Sequence, residues 1–223
     1  MCGRFTIVPT IDLSERFGLP AGTAMPPRYN VAPGQEVPVV VRDGANRLVP
    51  MTWGFLPPAG KDPAGGRPMI NARAETLLSK PSFRDAALSR RCLVPASGFY
   101  EWRREGRRKV PFYIRLKGAP VFAFAGIYDP GTGPSGCGCA TFAVITTAPN
   151  ELVAPLHDRM PAILPRDREA DWARPGPVTP SDLGALLAPF PAPEMEAYPV
   201  SGAVNDPQND GPGLIRPLKG LGI

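Results

Sequence analysis

The sequence predicts an α+β domain in which sheet dominates, and three observations lead to that prediction. The 223 residues fit a single domain over 1–223 with a sizeable core, since 43% of them are hydrophobic. The 31 prolines and 24 glycines favour many turns and short elements over long helices. Short apolar runs recur between these turn residues, a pattern that is typical of strands.

The first 90 residues divide into two helices, a strand hairpin and an extended segment. The helices are predicted at 10–19 and 82–88, the strands at 37–42 and 47–55, the extended segment at 69–76, and loops at 29–34 and 57–68. Asp12 and Gly18 mark the ends of the first helix, and Ser82 opens the second. A turn at 43–44 joins the two strands, and Pro50 moves the second strand toward a sheet edge or a bulge.

The remaining residues contain most of the predicted sheet. Strands are predicted at 91–102, 110–116, 121–128, 140–147, 160–164 and 197–204, and helices at 167–174 and 181–187. A basic turn at Glu105-Gly106 pairs the first two of these strands. Residues 121–128 are apolar at almost every position, which indicates a strand buried on both faces. Asn150 can cap a helix of one or two turns.

The second residue is the first candidate for chemistry. An initiator methionine is normally removed when the next residue is small, and removal of Met1 would leave Cys2 with a free amine beside its thiol. This pair can condense with an aldehyde to an imine and then close a thiazolidine ring. It can also attack amides through the thiol, with the amine as base. A cysteine without any role is the third interpretation.

Two titratable side chains are candidates for proton transfer. His157 is the single histidine, and an unperturbed imidazole titrates near neutral pH. Glu101 lies between two aromatic residues at the end of an apolar strand, where desolvation would raise its pKa. Each also has a structural interpretation: His157 as a satisfied polar group, and Glu101 as an exposed charge at a strand end.

Several side chains suit contacts with a nucleic acid. Asn71 and Arg73 share one face of an extended segment, where they can hold a sugar and a phosphate or merely fix a turn. Trp53, Phe55 and Trp102 are either core residues or, if exposed, platforms on which bases stack.

A basic cluster occupies the predicted turn that follows residue 102. Its members are Arg103, Arg104, Arg107, Arg108 and Lys109. The net charge of +5 is mild for a nucleic-acid-binding protein, so the distribution says more than the total. The cluster is either a solvated turn or a surface that meets phosphate.

The composition argues against several classes of protein. No apolar run approaches the ~20 residues of a membrane span, and the N-terminus lacks a signal-peptide pattern, so a cytoplasmic protein without membrane association is expected. The four cysteines, at positions 2, 92, 137 and 139, show no disulfide framework. Cys137-Gly138-Cys139 resembles half of a metal site, but one histidine and no second cysteine pair favour a loop thiol pair.

Motifs spread over nearly the whole chain resemble those of the SRAP family, the SOS-response-associated peptidases and abasic-site processing proteins. They are, in order, MCGRF (1–5), YNVAPG (29–34), WGF (53–55), INARAET (70–76), GFYEW (98–102), ITTA (145–148), LHDRMP (156–161), PVS (199–201) and VN (204–205). One such motif would be weak, whereas this many in fixed order is highly specific.

The resemblance implies a fold and a reaction. The fold would be a compact α+β domain on a curved, mostly antiparallel, barrel-like sheet with short peripheral helices. Cys2, freed of Met1 by autocatalysis or by an aminopeptidase, would bond to the sugar aldehyde of an abasic site in single-stranded DNA and form a thiazolidine crosslink that shields the lesion. Asn71 would hold the sugar. Glu101 and His157 would move protons for ring opening, imine formation, AP lyase cleavage or crosslink reversal.

The resemblance also implies DNA contacts and a cellular setting. The DNA-binding residues would be Arg4, Pro33, Trp53, Gly54, Arg73, Trp102 and Thr146, with phosphates at Arg4, Arg73 and Thr146 and bases at Pro33, Trp53 and Trp102. No metal or organic cofactor is implied. The protein would be a monomer in the cytoplasm, associated with the nucleoid, and would act in the DNA damage response, including at junctions at stalled replication.

Two other functions remain open from the residues. A thiol peptidase or autoprotease would use Cys2 as nucleophile with assistance from His157, but would leave the basic turn unexplained. A plain DNA-binding module would need no chemistry at Cys2.

Overall fold

A computed structural model describes residues 2–57, 67–131 and 138–218. The strands are β1 (Phe5–Ile7), β2 (Arg28–Val31), β3 (Glu36–Asp43), β4 (Ala45–Trp53), β5 (Asn71–Arg73), β6 (Arg91–Ala96), β7 (Gly98–Glu105), β8 (Arg108–Leu116), β9 (Phe122–Asp129), β10 (Thr141–Thr147), β11 (Met160–Pro161), β12 (Ile163–Leu164) and β13 (Met195–Pro199). The α-helices are α1 (Leu13–Phe17), α2 (Pro81–Ser89), α3 (Glu169–Ala173) and α4 (Pro180–Leu186). Short 3-10 helices lie at Ala74–Thr76, Arg166–Arg168, Ala192–Glu194, Gly202–Asn205 and Pro212–Ile215.

The larger sheet curls into a ring because β10 has partners along both of its edges. The strand order β10-β4-β3-β6-β9 returns to β10 through an antiparallel β9–β10 pairing. Most pairs are antiparallel, and β10 runs parallel only to β4 and β5. The predicted α+β class with a curved, barrel-like sheet is therefore confirmed, and β10 is the strand around which β5 and β11 are placed.

The smaller sheet carries the chain start and the basic hairpin. Its order is β13-β8-β7-β1-β2, so β1 lies between β7 and β2. Its two faces belong to different apolar clusters: Phe99 and Ile114 join the main core, whereas Tyr100 and Tyr113 pack with Val204 and other residues of the C-terminal segment. This alternation along β7 leaves Glu101 on the side of the main core.

The first predicted helix is confirmed in a shorter form. The Asp12 carboxylate accepts a hydrogen bond from Ser14 N at 2.7 Å, and Gly18 ends the helix in the left-handed conformation with φ 60°. The second helix begins earlier than predicted, at Pro81, because proline suits the first helical position. Ser82 is therefore buried in the first turn and is not the cap.

Two sequence predictions that concern strands are wrong in part. The predicted loop at 29–34 begins as β2, which pairs with β1, a strand too short to show a pattern. The predicted strand 91–102 is two strands that belong to different sheets, with the break at Ser97. A Cβ on Gly98 would lie 2.3 Å from the Tyr113 ring, so the residue after the break must be glycine.

The other deviations concern the C-terminal half and one loop. The predicted strand at 197–204 ends at Pro199, and Ser201 caps a 3-10 helix instead. Asn150 Oδ1 accepts Val153 N at 3.0 Å as a cap does, but turns follow rather than a helix. Most of the predicted loop at 57–68, namely 58–66, lies outside the described residues, as does Cys137. None of the helices in the described ranges has the length and apolar run needed to cross a bilayer.

Candidate active site

Pairing of β1 with β7 places the chain start beside the strand that carries Glu101. The Arg4 carbonyl accepts Tyr100 N at 3.0 Å, and the Cys2 thiol points at the same carbonyl, 3.7 Å away. From the other side Asn71 Nδ2 donates to the Cys2 carbonyl at 2.9 Å. Cys2 is thereby fixed between β7 and β5 in a chain that retains Met1.

The Cys2 thiol is fully buried. Burial raises the pKa of Cys2, and the negative charge of Glu101 raises it further. The thiol is therefore protonated at neutral pH, and any reaction at Sγ needs a base to remove that proton.

Glu101 is a buried carboxyl group, not an exposed charge at a strand end. Its residue is 2% exposed, it lies opposite Phe112 on β8, and Oε1 has no hydrogen-bond partner among the described residues. Burial raises the pKa of Glu101 to about 7, and the charge of Asp158 acts in the same direction. A carboxyl group that titrates there can both take and give a proton near neutral pH.

His157 follows the turns after Asn150 and presents a defined tautomer. Its Nδ1 accepts the backbone N–H of Arg159 at 3.0 Å, so the proton of the neutral ring is on Nε2. The Asp158 carboxylate lies 2.8 Å from the same Nδ1 and forms an ion pair only when the ring is protonated. Burial lowers the pKa of His157, which favours the neutral ring.

An ion pair fixes the turn that carries His157. Both terminal nitrogens of Arg159 reach the Glu75 carboxylate, at 2.8 and 2.9 Å, and one of them also donates to the Thr146 carbonyl at 2.6 Å. The Arg159 guanidinium holds the pKa of Glu75 below its usual range. The turn is therefore attached to β10 and to the 3-10 helix after β5.

A cleft of about 730 Å³ brings Glu101 and His157 together. It is lined by Arg4, Glu101, Trp102, Arg104, Lys109, Pro155, Leu156, His157, Asp158 and Asn205. Cys2 and Asn71 do not form part of its wall in this chain. Three cations and a half-buried tryptophan beside two carboxyl groups and an imidazole suit an anionic, partly aromatic ligand.

Arg4 and Trp102, two of the predicted DNA contacts, lie in this cleft and share one neighbour. Trp102 Nε1 donates to Asn205 Oδ1 at 2.8 Å, and an Arg4 terminal nitrogen donates to the Asn205 carbonyl at 3.3 Å. Arg73 and Pro33 are exposed but lie outside the cleft wall. The sequence predicts no role for Asn205, because only the fold brings it to Arg4 and Trp102, which are 201 and 103 positions away.

Trp53 requires a correction. It is fully buried, its ring stacks on Phe142 and meets Phe5 edge-on, and Nε1 donates to the Ile70 carbonyl at 2.8 Å. Its ring offers no surface to a base, so the predicted stacking role is wrong for this structure and Trp53 is a core residue. Phe55 is also buried in the core.

Gly54 and Thr146 are buried as well, and each has a structural explanation. Gly54 has φ 148°, and a Cβ there would lie 2.9 Å from Pro68. The Thr146 carbonyl is occupied by Arg159. Among the described residues no group of three or more His, Cys, Asp or Glu side chains could hold a metal ion.

Comparison with known proteins identifies the family. The family model described as "SOS response associated peptidase (SRAP)" matches residues 1–207. The abasic site processing protein YoqW of Bacillus subtilis is 47% identical over 96% of this chain and 99% of its own length, and YedK of Escherichia coli is 32% identical over 98% and 100%. The chicken protein HMCES is 31% identical over 88% of this chain and 68% of its own length.

Solved structures agree with these sequence matches. A crystal structure of a protein from Bacteroides thetaiotaomicron superposes with a TM-score of 0.79 at 29% identity, over 96% of this chain and 99% of that one. A phage-related protein from Bordetella bronchiseptica gives a TM-score of 0.70 at 30% identity, over 89% and 94%. By its motifs, its fold and these matches, the chain belongs to the SRAP family.

Proposed function

We propose that this protein processes abasic sites in single-stranded DNA and that Cys2, once Met1 is removed, bonds covalently to the sugar. The observation that carries the proposal is a chain of pairwise relations that links Cys2 to Asn71 and to Glu101, and Glu101 to His157. Asn71 holds the Cys2 backbone, the charge of Glu101 acts on the Cys2 thiol, and Glu101 shares a cleft with His157. The family relatives named as abasic site processing proteins support the same role.

The first step opens the sugar. An abasic deoxyribose is mostly a closed hemiacetal, so its aldehyde is scarce without acid–base help. Ionised Glu101 takes the proton of the C1′ hydroxyl, and protonated His157 gives its Nε2 proton to the ring oxygen as the C1′–O4′ bond breaks, which leaves the neutral imidazole. The raised pKa of Glu101 makes its carboxylate a stronger base, and the lowered pKa of His157 makes its imidazolium a stronger acid.

The second step joins protein and DNA. The Cys2 amine adds to C1′, and loss of one water gives an imine. Sγ then adds to C1′ while its proton moves to the imine nitrogen by way of Glu101, which closes the five-membered thiazolidine ring. One aldehyde and one aminothiol thus give one ring and one water, and no oxidant or cofactor is required. Asn71 keeps the amine and the thiol on the side of the sugar.

Ring closure competes with strand cleavage. In the open imine the nitrogen draws electrons from C2′, so removal of a C2′ proton breaks the C3′–O bond and releases the phosphate, which is an AP lyase reaction. Closing the thiazolidine removes the imine and protects the strand. Reversal runs the same steps backwards: a proton is delivered to Sγ as the C1′–S bond breaks and the imine re-forms, and addition of water to the imine then releases the Cys2 amine and restores the aldehyde. One set of groups thus serves protection, cleavage and release.

The DNA itself is held by charge and stacking. We assign a phosphate contact to Arg4 and a base contact to Trp102, which both line the cleft, and a further phosphate contact to the exposed Arg73. Binding is therefore insensitive to sequence and weakens as salt rises. We assign this activity to one domain working as a monomer in the cytoplasm, on single strands and junctions of damaged DNA.

Intact mass measurement tests the proposal. We expect the purified protein to lack Met1, and exposure to an abasic single-stranded oligonucleotide to add the mass of that oligonucleotide less one water. Cys2→Ala should form no stable adduct, and Cys2→Ser should give only an imine that borohydride traps. A protein that keeps Met1 and still forms the adduct would contradict the mechanism.

A thiol peptidase remains the alternative chemistry of the same cysteine. The raised pKa of the buried Cys2 thiol bears on both chemistries, because each needs a base to take the thiol proton, whereas the cations Arg4, Arg104 and Lys109 of the cleft favour DNA over a peptide. Turnover of a peptide panel without any DNA adduct would favour the peptidase.

A further inference from the structure

The strand face that carries Trp102, Arg104 and Lys109, called here the hairpin face, extends the cleft outward along β7 and β8. We infer that it binds the phosphodiester backbone of single-stranded DNA as the strand leaves the lesion. The inference rests on the proposed function, because it takes the lesion to lie at Glu101 and His157. It assigns a role to Arg104 and Lys109, for which the family motifs supply none.

The register of the hairpin places the two cations side by side. Arg104 pairs with Lys109 across the strands, and Trp102 pairs with Pro111 one step nearer the cleft. Directly paired residues and residues two apart share a face, so the three side chains form one continuous surface. Cβ atoms of a cross-strand pair lie about 5 Å apart, which lets both cations meet one phosphate or two adjacent ones.

The local charges leave these two cations available. Glu105, at the tip of this hairpin, is engaged by Arg103 at 2.5 and 2.9 Å, and Arg103 also lies over the Phe112 ring at 4.7 Å. Arg104 and Lys109 are exposed and make no ion pair with any described residue. Two exposed cations that are not engaged in an ion pair are complementary to a phosphate backbone.

Continuity with the cleft separates this surface from an ordinary solvated turn. Arg104 and Lys109 line the same cavity as Glu101 and His157, so a strand held there must pass them. Trp102, whose indole is fixed by Asn205, provides an aromatic surface between the reacting groups and the cations. An aromatic surface followed by cations fits an unstacked single strand, whereas a duplex offers no free base face.

The test uses DNA that binds but does not react. A single-stranded oligonucleotide with a central tetrahydrofuran residue has no aldehyde, so its dissociation constant reports binding alone. We expect Arg104→Ala/Lys109→Ala to weaken binding about tenfold near physiological salt and to reduce the slope of log K against log salt by about 1.4, since each single-strand phosphate contact contributes about 0.7.

The matched control removes two cations from another hairpin. Arg42 and Arg47 are exposed near the β3–β4 turn and lie outside the cleft wall, so Arg42→Ala/Arg47→Ala changes the net charge equally. The control should keep the slope and affinity of the unaltered chain. Equal losses in the two variants would show a general charge effect and overturn the inference, as would unchanged binding by the first variant.

Trimmed oligonucleotides locate the contact. When the nucleotides on one side of the lesion are removed, Arg104→Ala/Lys109→Ala and the unaltered chain should have equal dissociation constants. When the nucleotides on the other side are removed, the difference between their dissociation constants should remain. A difference that survives both trimmings, or one that arises only with a duplex flank, would overturn the assignment to a single strand. Failure of the unaltered chain to crosslink true abasic DNA would sink the proposed function without affecting this binding comparison.

Discussion

Two buried carboxyl groups, Glu169 and Glu101, show how this protein treats a structural charge and a reactive one. Glu169 accepts two hydrogen bonds from Arg16, at 2.8 and 2.6 Å, and both side chains are less than 10% exposed. Glu101 is buried to a similar degree but forms no ion pair with a side chain of the described residues, and its Oε1 has no hydrogen-bond partner among them. The first carboxyl is compensated, and the second is left to titrate near pH 7.

The difference teaches that burial alone does not identify function. A buried charge is normally paired, because desolvation without compensation is costly. Where a buried carboxyl group at the edge of a cleft has no ion-pair partner, as at Glu101, desolvation raises its pKa. Its proton can then be taken up and released near neutral pH. Replacing each glutamate in turn by glutamine should therefore separate an effect on the reaction rate from an effect on stability.

The largest effect is expected on the rate of adduct formation. Glu101→Gln keeps the shape of the side chain but removes the base, so crosslinking to abasic DNA should slow about 10³-fold. Binding of the tetrahydrofuran oligonucleotide should change little. Glu169→Gln is the matched control, and its folded form should react at a rate within a few-fold of that of the unaltered chain. Equal slowing by the two substitutions would contradict a reactive role that is specific to Glu101.

The second effect is a loss of stability, and here Glu169→Gln is the variant that changes. Glu169→Gln leaves the buried Arg16 guanidinium without its anion, which should cost about 4 kcal/mol of unfolding free energy. Denaturant titration at pH 7.5 measures it. A loss below about 1 kcal/mol would mean that Arg16 finds other partners and that the pair is not structural.

The third effect is the contribution of Glu101 to the pH dependence of the unfolding free energy. The native carboxyl titrates at about 7 and the unfolded one near 4.3, so between these values the native state holds more protons and stability falls as pH rises. Glu101→Gln removes this term. The variant should match the unaltered chain below pH 4.5 and exceed it by about 3 kcal/mol above pH 8. An excess that is the same at pH 5 and pH 8 would contradict the raised pKa.

Local patterns predicted much of the fold, and long-range pairing accounts for what they missed. The turns at Gly44 and Gly106 and the buried strand β9 follow from neighbouring residues, and all are present. The split between β6 and β7 does not, because the apolar run continues through Ser97 and only Tyr113, from β8, forces a glycine after it. Closure of the ring by β9 and β10 likewise depends on partners that no local pattern contains.

At the candidate site, the sequence predicted which residue types can react, but not whether each side chain is buried or which residues it contacts. Histidine and an N-terminal aminothiol have few chemical substitutes, so His157 and Cys2 could be proposed from composition. Both Trp53 and Trp102 follow apolar strand residues in the sequence, yet Trp53 is buried in the core and Trp102 lines the cleft. The Glu75–Arg159 pair spans 84 positions, and only the fold brings it together.

The smallest effect concerns Asn205, whose side-chain oxygen has a hydrogen-bond partner where Glu101 Oε1 has none among the described residues. Its Oδ1 accepts Trp102 Nε1 at 2.8 Å, so Asn205→Ala should free the indole and weaken binding of the tetrahydrofuran oligonucleotide about threefold. Asn209→Ala is the control, since Asn209 bonds only the nearby Ala203 carbonyl through its side chain. Trp102→Phe removes the donor itself, and two changes that break one contact are not additive. Asn205→Ala should therefore have no further effect in a Trp102→Phe background; a full threefold loss there would show that Asn205 acts on the DNA by another route than Trp102.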